Sequence, residues 1–174
     1  MTSANDIYRD TIAWLVDHYG AHTFYTERDL VWTVQNRIAS ILAQHQLPLR
    51  VFNDYPIKRA ERRSLCVDLA IVSIETNQIH LAAEFKYEPS HSRLDIPKSK
   101  FPVVLWGKDG VGKDIERAQL FVREDLTPIC YTEFIDEGGA FRHRNPHPTS
   151  TWESWGEERW ALRSCAKMTP QVTT

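Results

Sequence analysis

The sequence predicts an α/β domain whose elements run helix, three strands, helix, strand. Three observations carry this expectation. Apolar residues recur at helical spacing between Leu30 and Leu42; three strand-length apolar segments separated by short polar turns follow between residues 49 and 87; and a second helical pattern and one further strand lie between residues 113 and 135. With 174 residues, 25% charged and 42% hydrophobic, the chain has the composition of one ordinary globular domain with a single sizeable core.

Residues 6–19 carry Ile7, Ile12, Trp14, Leu15 and Tyr19 at mixed three- and four-residue intervals, a short helix that ends at Gly20. A clearer helix follows. Thr26 and Asp29 have the spacing of a capping box, and Leu30, Val34, Ile38, Ile41, Leu42 and His45 keep one face apolar until the helix stops near Gln46, ahead of Pro48. Strands are expected over residues 49–57, 65–73 and 79–87, separated by the basic turn 58–63 and the polar turn 75–78, and connections this short favour an antiparallel meander. A Pro-, Ser- and Lys-rich loop over residues 88–102 leads to the apolar run 103–106 and the glycine-rich stretch 107–112. A helix bearing Ile115, Ala118 and Val122 comes next, then a strand over 128–135 and a turn at Gly138 and Gly139. This places the core at about residues 26–135. Residues 142–148 read as a loop, the extension 151–164 carries Trp152, Trp155 and Trp160 and fits either a helix or a hairpin, and residues 169–174 form a loose tail.

Several classes are excluded early. No stretch approaches the roughly 18 apolar residues of a membrane span and residues 1–10 are polar, which points to a cytoplasmic protein with no membrane contact. Cys66, Cys130 and Cys165 are odd in number and widely spaced, so they read as buried small hydrophobes and not as a disulfide framework or a zinc site. A net charge of -2 neither requires nor forbids nucleic acid, since a local basic strip suffices to neutralise phosphates.

The chemistry concentrates in two strands. Side chains alternate between faces, so Ile79, Leu81, Ala83 and Phe85 point one way while His80, Ala82, Glu84 and Lys86 point the other. In the preceding strand Leu65, Val67, Leu69 and Ile71 oppose Cys66, Asp68, Ala70 and Val72, leaving Asp68 among small apolar neighbours. Pairing the two strands brings Asp68 beside Glu84, where two carboxylates repel unless a cation or a shared proton relieves them. Oxygen ligands completed by water suit Mg²⁺, or Mn²⁺ in its place, and such an ion polarises a phosphoryl oxygen and acidifies bound water. Lys86, on the face of Glu84, is placed to orient that water and offset developing negative charge. The plainer alternative is an ion pair on a solvated sheet face, because Glu-x-Lys alone is a weak signal.

Asp68 followed by Glu84-Phe85-Lys86 resembles the D…(D/E)xK signature of the restriction-endonuclease-like, or PD-(D/E)xK, nuclease superfamily, over roughly residues 26–135. The resemblance implies a mixed central sheet flanked by helices, with Asp68 and Glu84 binding Mg²⁺ and Lys86 assisting the water that hydrolyses a phosphodiester. DNA is the expected partner and a homodimer that cuts two strands is an accompanying expectation. Many such enzymes place a glutamate on the first core helix near the metal, and Glu27 matches it; an acidic residue in a helix's first turn also simply complements the helix dipole. The chain departs from the pattern in having no proline before Asp68 and a long loop after Glu88. A non-catalytic subunit that keeps the fold to bind nucleic acid or to build an assembly is the rival reading.

Lys58, Arg59, Arg62 and Arg63 in the basic turn, and Lys113 near the start of the later helix, are candidate phosphate contacts, with plain solvation as their alternative. Asp114, Arg117 and Gln119 on that helix share the expectation, Asp114 also fitting a dipole partner. Residues 107–113 match GxxxxGK of a nucleotide-binding loop, but Asp114 stands where Ser or Thr must hold Mg²⁺, and too little chain follows for the parallel sheet such loops need. His143 and His147 lack the paired-cysteine context of a zinc site. The three C-terminal tryptophans are expected to close the core rather than to stack on bases.

Overall fold

A computed structural model describes residues 3–58 and 64–168 of the chain. Arg59, Arg62 and Arg63, and the tail expected after residue 168, lie outside the described residues.

Helix α1 (Ala4–His18) starts earlier than its apolar periodicity suggests, because Ser3 and Asp6 close a capping box that satisfies the first free amides. Helix α2 (Glu27–Gln44) begins behind the expected box, in which Asp29 accepts from the backbone N–H of Thr26 and Tyr25. Three antiparallel strands follow: β1 (Leu49–Lys58), β2 (Leu65–Ser73) and β3 (Ile79–Glu88). Helix α3 (Val111–Arg123) then crosses over to β4 (Ile129–Asp136), which lies parallel to β3. The sheet is therefore mixed.

The tryptophan-rich segment resolves into a hairpin, β5 (Ser150–Ser154) and β6 (Trp160–Lys167). It is part of the main sheet and not an extension beside it, since β6 pairs with the far edge of β4 in the order β1-β2-β3-β4-β6-β5. Every residue of β4 is buried, so its outer row of backbone groups needs a strand to bond. A core confined to residues 26–135 is too narrow for this reason, and also because Ile7, Tyr8, Ile12 and Leu15 of α1 enter the main cluster.

Helices α1 and α2 cover one face of the sheet, packing Leu15, Leu30, Val34 and Ile38 against Leu69, Leu81, Ala83 and Phe85. Each fully buried aliphatic side chain of this kind contributes about 1.5–3 kcal/mol. Helix α3 covers the other face, where Ala118, Phe121 and Val122 meet Ala70, Val72, Ala82 and Cys130. Two residues leave the faces that strict alternation assigns them. Ile79 packs on the α3 side because the register shifts there, Val72 pairing with Ile79 after Ile71 pairs with Leu81. Val67 also lies on that side, the alternation breaking at Asp68, which faces Asp54 of β1 with its φ of 47°.

Cys130 is buried as expected, but Cys66 is exposed near the start of β2, and Cys165 is only half-buried at the margin of the main cluster. Trp155 is buried in the main core, and Trp152 stacks on Trp106 at 5.9 Å between centroids. Gly107–Asp109 forms a 3-10 turn in place of a phosphate loop. Gly110 is required there for space: a Cβ would fall 1.8 Å from the carbonyl oxygen of Leu105. Among the described residues no helix is long and apolar enough to cross a membrane.

Candidate functional site

Strands β2 and β3 are paired from Val72 back to Leu69, opposite Ala83, and part beyond that point. The register leads Asp68 towards Glu84. In the gap the Asp68 carboxylate takes over the role of a strand partner, accepting the backbone N–H of Phe85 at 2.7 Å. Meanwhile β3 continues beside β4 as far as Glu88 and Asp136. The result is a notch at the centre of the sheet, where groups from both helical layers reach the same strand.

Lys86 occupies the notch. Its Nζ lies 3.2 Å from Glu27 Oε2 on α2, 3.7 Å from Asp114 Oδ2 on α3 and 3.1 Å from the carbonyl of Phe85. Glu84, on the same face of β3, is only 1% exposed and receives Arg117 of α3 at 2.6 Å on Oε2, while Arg117 also meets Asp114 at 3.2 Å. Glu84 Oε1 is buried with no fixed donor beside it, and a proton shared with Asp68, or a cation, is what can satisfy it. A carboxylate oxygen without a partner in such a place carries a large desolvation penalty.

The electrostatics follow from this crowding. Burial, and after it the charge of Asp68, pushes the Glu84 carboxyl well above the ordinary carboxylate range, against the opposing pull of Arg117. Burial likewise raises Asp68, although the Phe85 N–H opposes it, and raises Glu27 in spite of Lys86. For Lys86 burial works against the charged form, yet Glu27, Asp114 and Asp68 together hold the ammonium above the usual lysine range. Lys86 is therefore a fixed cation.

Asp68, Glu84, Lys86 and Glu27 lie together at the notch. Comparison with family models and with curated proteins gives no match to this chain. The residues of the notch are the guide to its chemistry.

Asp114 and Arg117 are integral to the cluster in a way the sequence did not disclose. Asp114 is 6% exposed and faces Lys86, which goes beyond a helix-dipole partner, and Arg117 is held by Glu84. The i, i+3 spacing of Asp114 and Arg117 was visible, but the crossover that lays α3 over β3 was not. Gln119 bonds Thr149, while Lys113 remains exposed on α3. Lys58 is paired with Glu124 at 2.7 Å across the surface, an interaction worth little by itself.

Among the described residues there is no group of three or more His, Cys, Asp and Glu side chains arranged to hold a metal. Mg²⁺ asks for less, binding through one or two carboxylates and keeping several waters. The pair Asp68 and Glu84, with Glu84 Oε1 lacking any partner, fits that demand.

Proposed function

We propose that this chain is a Mg²⁺-dependent nuclease of the restriction-endonuclease-like, PD-(D/E)xK type that hydrolyses phosphodiesters in DNA. The observation that carries the reading is the unpartnered, buried Glu84 Oε1 beside Asp68, one residue from a backbone amide that fixes Asp68 and two from a fixed ammonium. Asp68 and Glu84 would hold the ion, with Mn²⁺ an adequate substitute. Bound there, it would supply Lewis acidity to a phosphoryl oxygen and to a water.

The remaining chemistry falls to the chain. Lys86, kept protonated by three carboxylates, donates to the attacking water or the phosphoryl oxygens and offsets charge as the phosphorus–oxygen ester bond breaks. It is not the base. Glu27, 3.2 Å from Lys86 and raised by burial, is the better placed acceptor for the proton that the water gives up, and the leaving oxygen takes its proton from solvent water. Arg117 holds one oxygen of Glu84 and leaves the other free.

The rival reading, a non-catalytic subunit of the same fold, draws on the fact that Arg117 and Lys86 already partner three of the four carboxylates. Purified protein incubated with supercoiled, linear duplex and single-stranded DNA in Mg²⁺ or Mn²⁺ separates the two. Cleavage of at least one form, lost in Asp68→Ala and reduced by about 100-fold or more in Lys86→Met, is expected from the size of acid–base and electrostatic contributions. No cleavage by the wild type, or cleavage that survives both substitutions, overturns the nuclease reading.

A further inference from the structure

We infer that a second pocket, walled off from the notch by Pro102, Val103 and Val104, binds a nucleoside monophosphate, with its phosphate on Lys98 and Arg144 and a base N–H on Glu88. The choice of a nucleotide among flat anions rests on the nuclease reading. Those three wall residues line both this pocket, of about 740 Å³, and the space over Lys86 and Glu27. Such a volume falls within the range of small-molecule sites.

The floor holds an acceptor that the fold leaves unserved. Glu88 ends β3 with its side chain only 5% exposed; His91 meets its Oε1, and Oε2 is buried with no donor beside it. Asp136, opposite Glu88 on β4, does not relieve it, since its own oxygens accept the backbone N–H groups of Ala140 and Phe141. A buried carboxylate oxygen costs free energy until an N–H or O–H reaches it. A ligand that enters with a donor foremost supplies that hydrogen bond.

The mouth has the opposite character. Lys98 and Arg144 are exposed there, and among the described residues neither has a carboxylate partner. The one carboxylate in the lining is Glu88, already in contact with His91, so the pocket favours an anion. A phosphate suits a lysine point charge beside an arginine fork. The Arg144 guanidinium is positioned over the Phe141 ring at 5.6 Å, and that ring is held by Trp106 at 5.9 Å and Phe134 at 5.4 Å. A cation already placed costs little ordering on binding.

Between floor and mouth the lining is apolar, with Phe101 and Val103 open to a flat body. Donor, flat middle and anion must therefore follow one another along the ligand. Inorganic phosphate and sugar phosphates lack the middle. An amino acid carries its ammonium and carboxylate on one carbon, whereas here the acceptor is buried and the cations are exposed. A nucleotide has all three in that order.

The test is calorimetric titration of the full chain in EDTA with dAMP, dGMP, dCMP and dTMP, and with deoxyadenosine, 2-deoxyribose 5-phosphate and inorganic phosphate as truncated probes. At least one mononucleotide should bind ten-fold or more tighter than every truncated probe. Replacing both exposed cations, Lys98→Ala with Arg144→Ala, should raise its Kd roughly ten-fold or more, the equivalent of ~1.4 kcal/mol, with Tm unchanged. An oligodeoxyadenylate without terminal phosphates, bound as tightly as dAMP and weakened by the same substitutions, reports a nucleotide taken within a strand; binding of dAMP alone reports a free one. No mononucleotide binding, a truncated probe bound as tightly, or wild-type affinity in the double variant overturns the inference. Mononucleotide binding by a protein that cleaves nothing in Mg²⁺ keeps the pocket and removes the nuclease reading; cleavage by a protein that binds no mononucleotide does the reverse.

Discussion

Arg117 of α3 grips one oxygen of the buried Glu84 while the other has no fixed donor beside it, so a single carboxylate is half ion pair and half open. The two roles need different residues around them. Arg117 lowers the cost of burying Glu84, whereas Asp68 increases it, and the balance leaves Glu84 well above its usual range.

Thermal unfolding with and without Mn²⁺ reads this balance. At an ion concentration about 100 times the Kd the wild type should gain ~2.7 kcal/mol, a shift of several degrees in Tm for a domain of this size. Asp68→Asn should abolish the shift. Without metal, the same variant should melt no lower than the wild type, because the substitution removes a charge that repels Glu84 and keeps an oxygen able to accept the Phe85 N–H. If instead the carboxylates serve only as partners of Lys86 and Arg117, the substitution lowers Tm and Mn²⁺ changes nothing in either protein.

The capping box of α2 carries a second expectation. Thr26 and Asp29 fix the first turn, and Glu27 is the first residue inside it. Thr26→Ala should cost about 1 kcal/mol in urea denaturation. Because it loosens the turn that aims Glu27 at Lys86, it should also reduce cleavage while leaving Mn²⁺ affinity close to wild type. Equal loss of both would place Glu27 among the ligands rather than at the proton.

A third prediction concerns pH and lies on the opposite face of the sheet. Glu133 of β4 is fully buried between Tyr8 and Arg163, and burial pushes its carboxyl from 4.5 to about 7 even though Arg163 pulls the other way. Its folded value exceeds its unfolded one, so the native state holds the proton more tightly. The associated stability is fully present below about pH 4.5 and is lost as pH rises through 7. Glu133→Gln, which cannot titrate, should flatten the pH dependence of the urea midpoint between these limits. An unchanged slope would locate it elsewhere.

Much of this architecture is legible in the residues. The strand lengths of β2 and β3 follow from their apolar runs, and the shared face of Glu84 and Lys86 follows from alternation alone. What alternation does not show is where it stops. The register shift at Ile79 and the break at Asp68 come from strand pairing, a non-local choice, and they turn Asp68 sideways to cap Phe85. Asp114 and Arg117 were readable as a helix-start pair, but their partners lie on another element and are set by how α3 packs. The hairpin formed by β5 and β6 was ambiguous for a like reason, since an aromatic-rich segment takes strand form when a neighbouring strand needs hydrogen bonds.

The parting of β2 from β3 also bears on how the chain matures as it is synthesised. Asp68, Glu84 and Lys86 leave the ribosome within one meander, yet Arg117 follows Glu84 by 33 residues and β4 comes later still. A chain that lacks α3 and β4 has neither the guanidinium that pairs with Glu84 nor the strand that bonds the outer edge of β3, so the electrostatic cluster is complete only when the crossover is. The pairing of Glu84 is thereby tied to the last third of the polypeptide being in place.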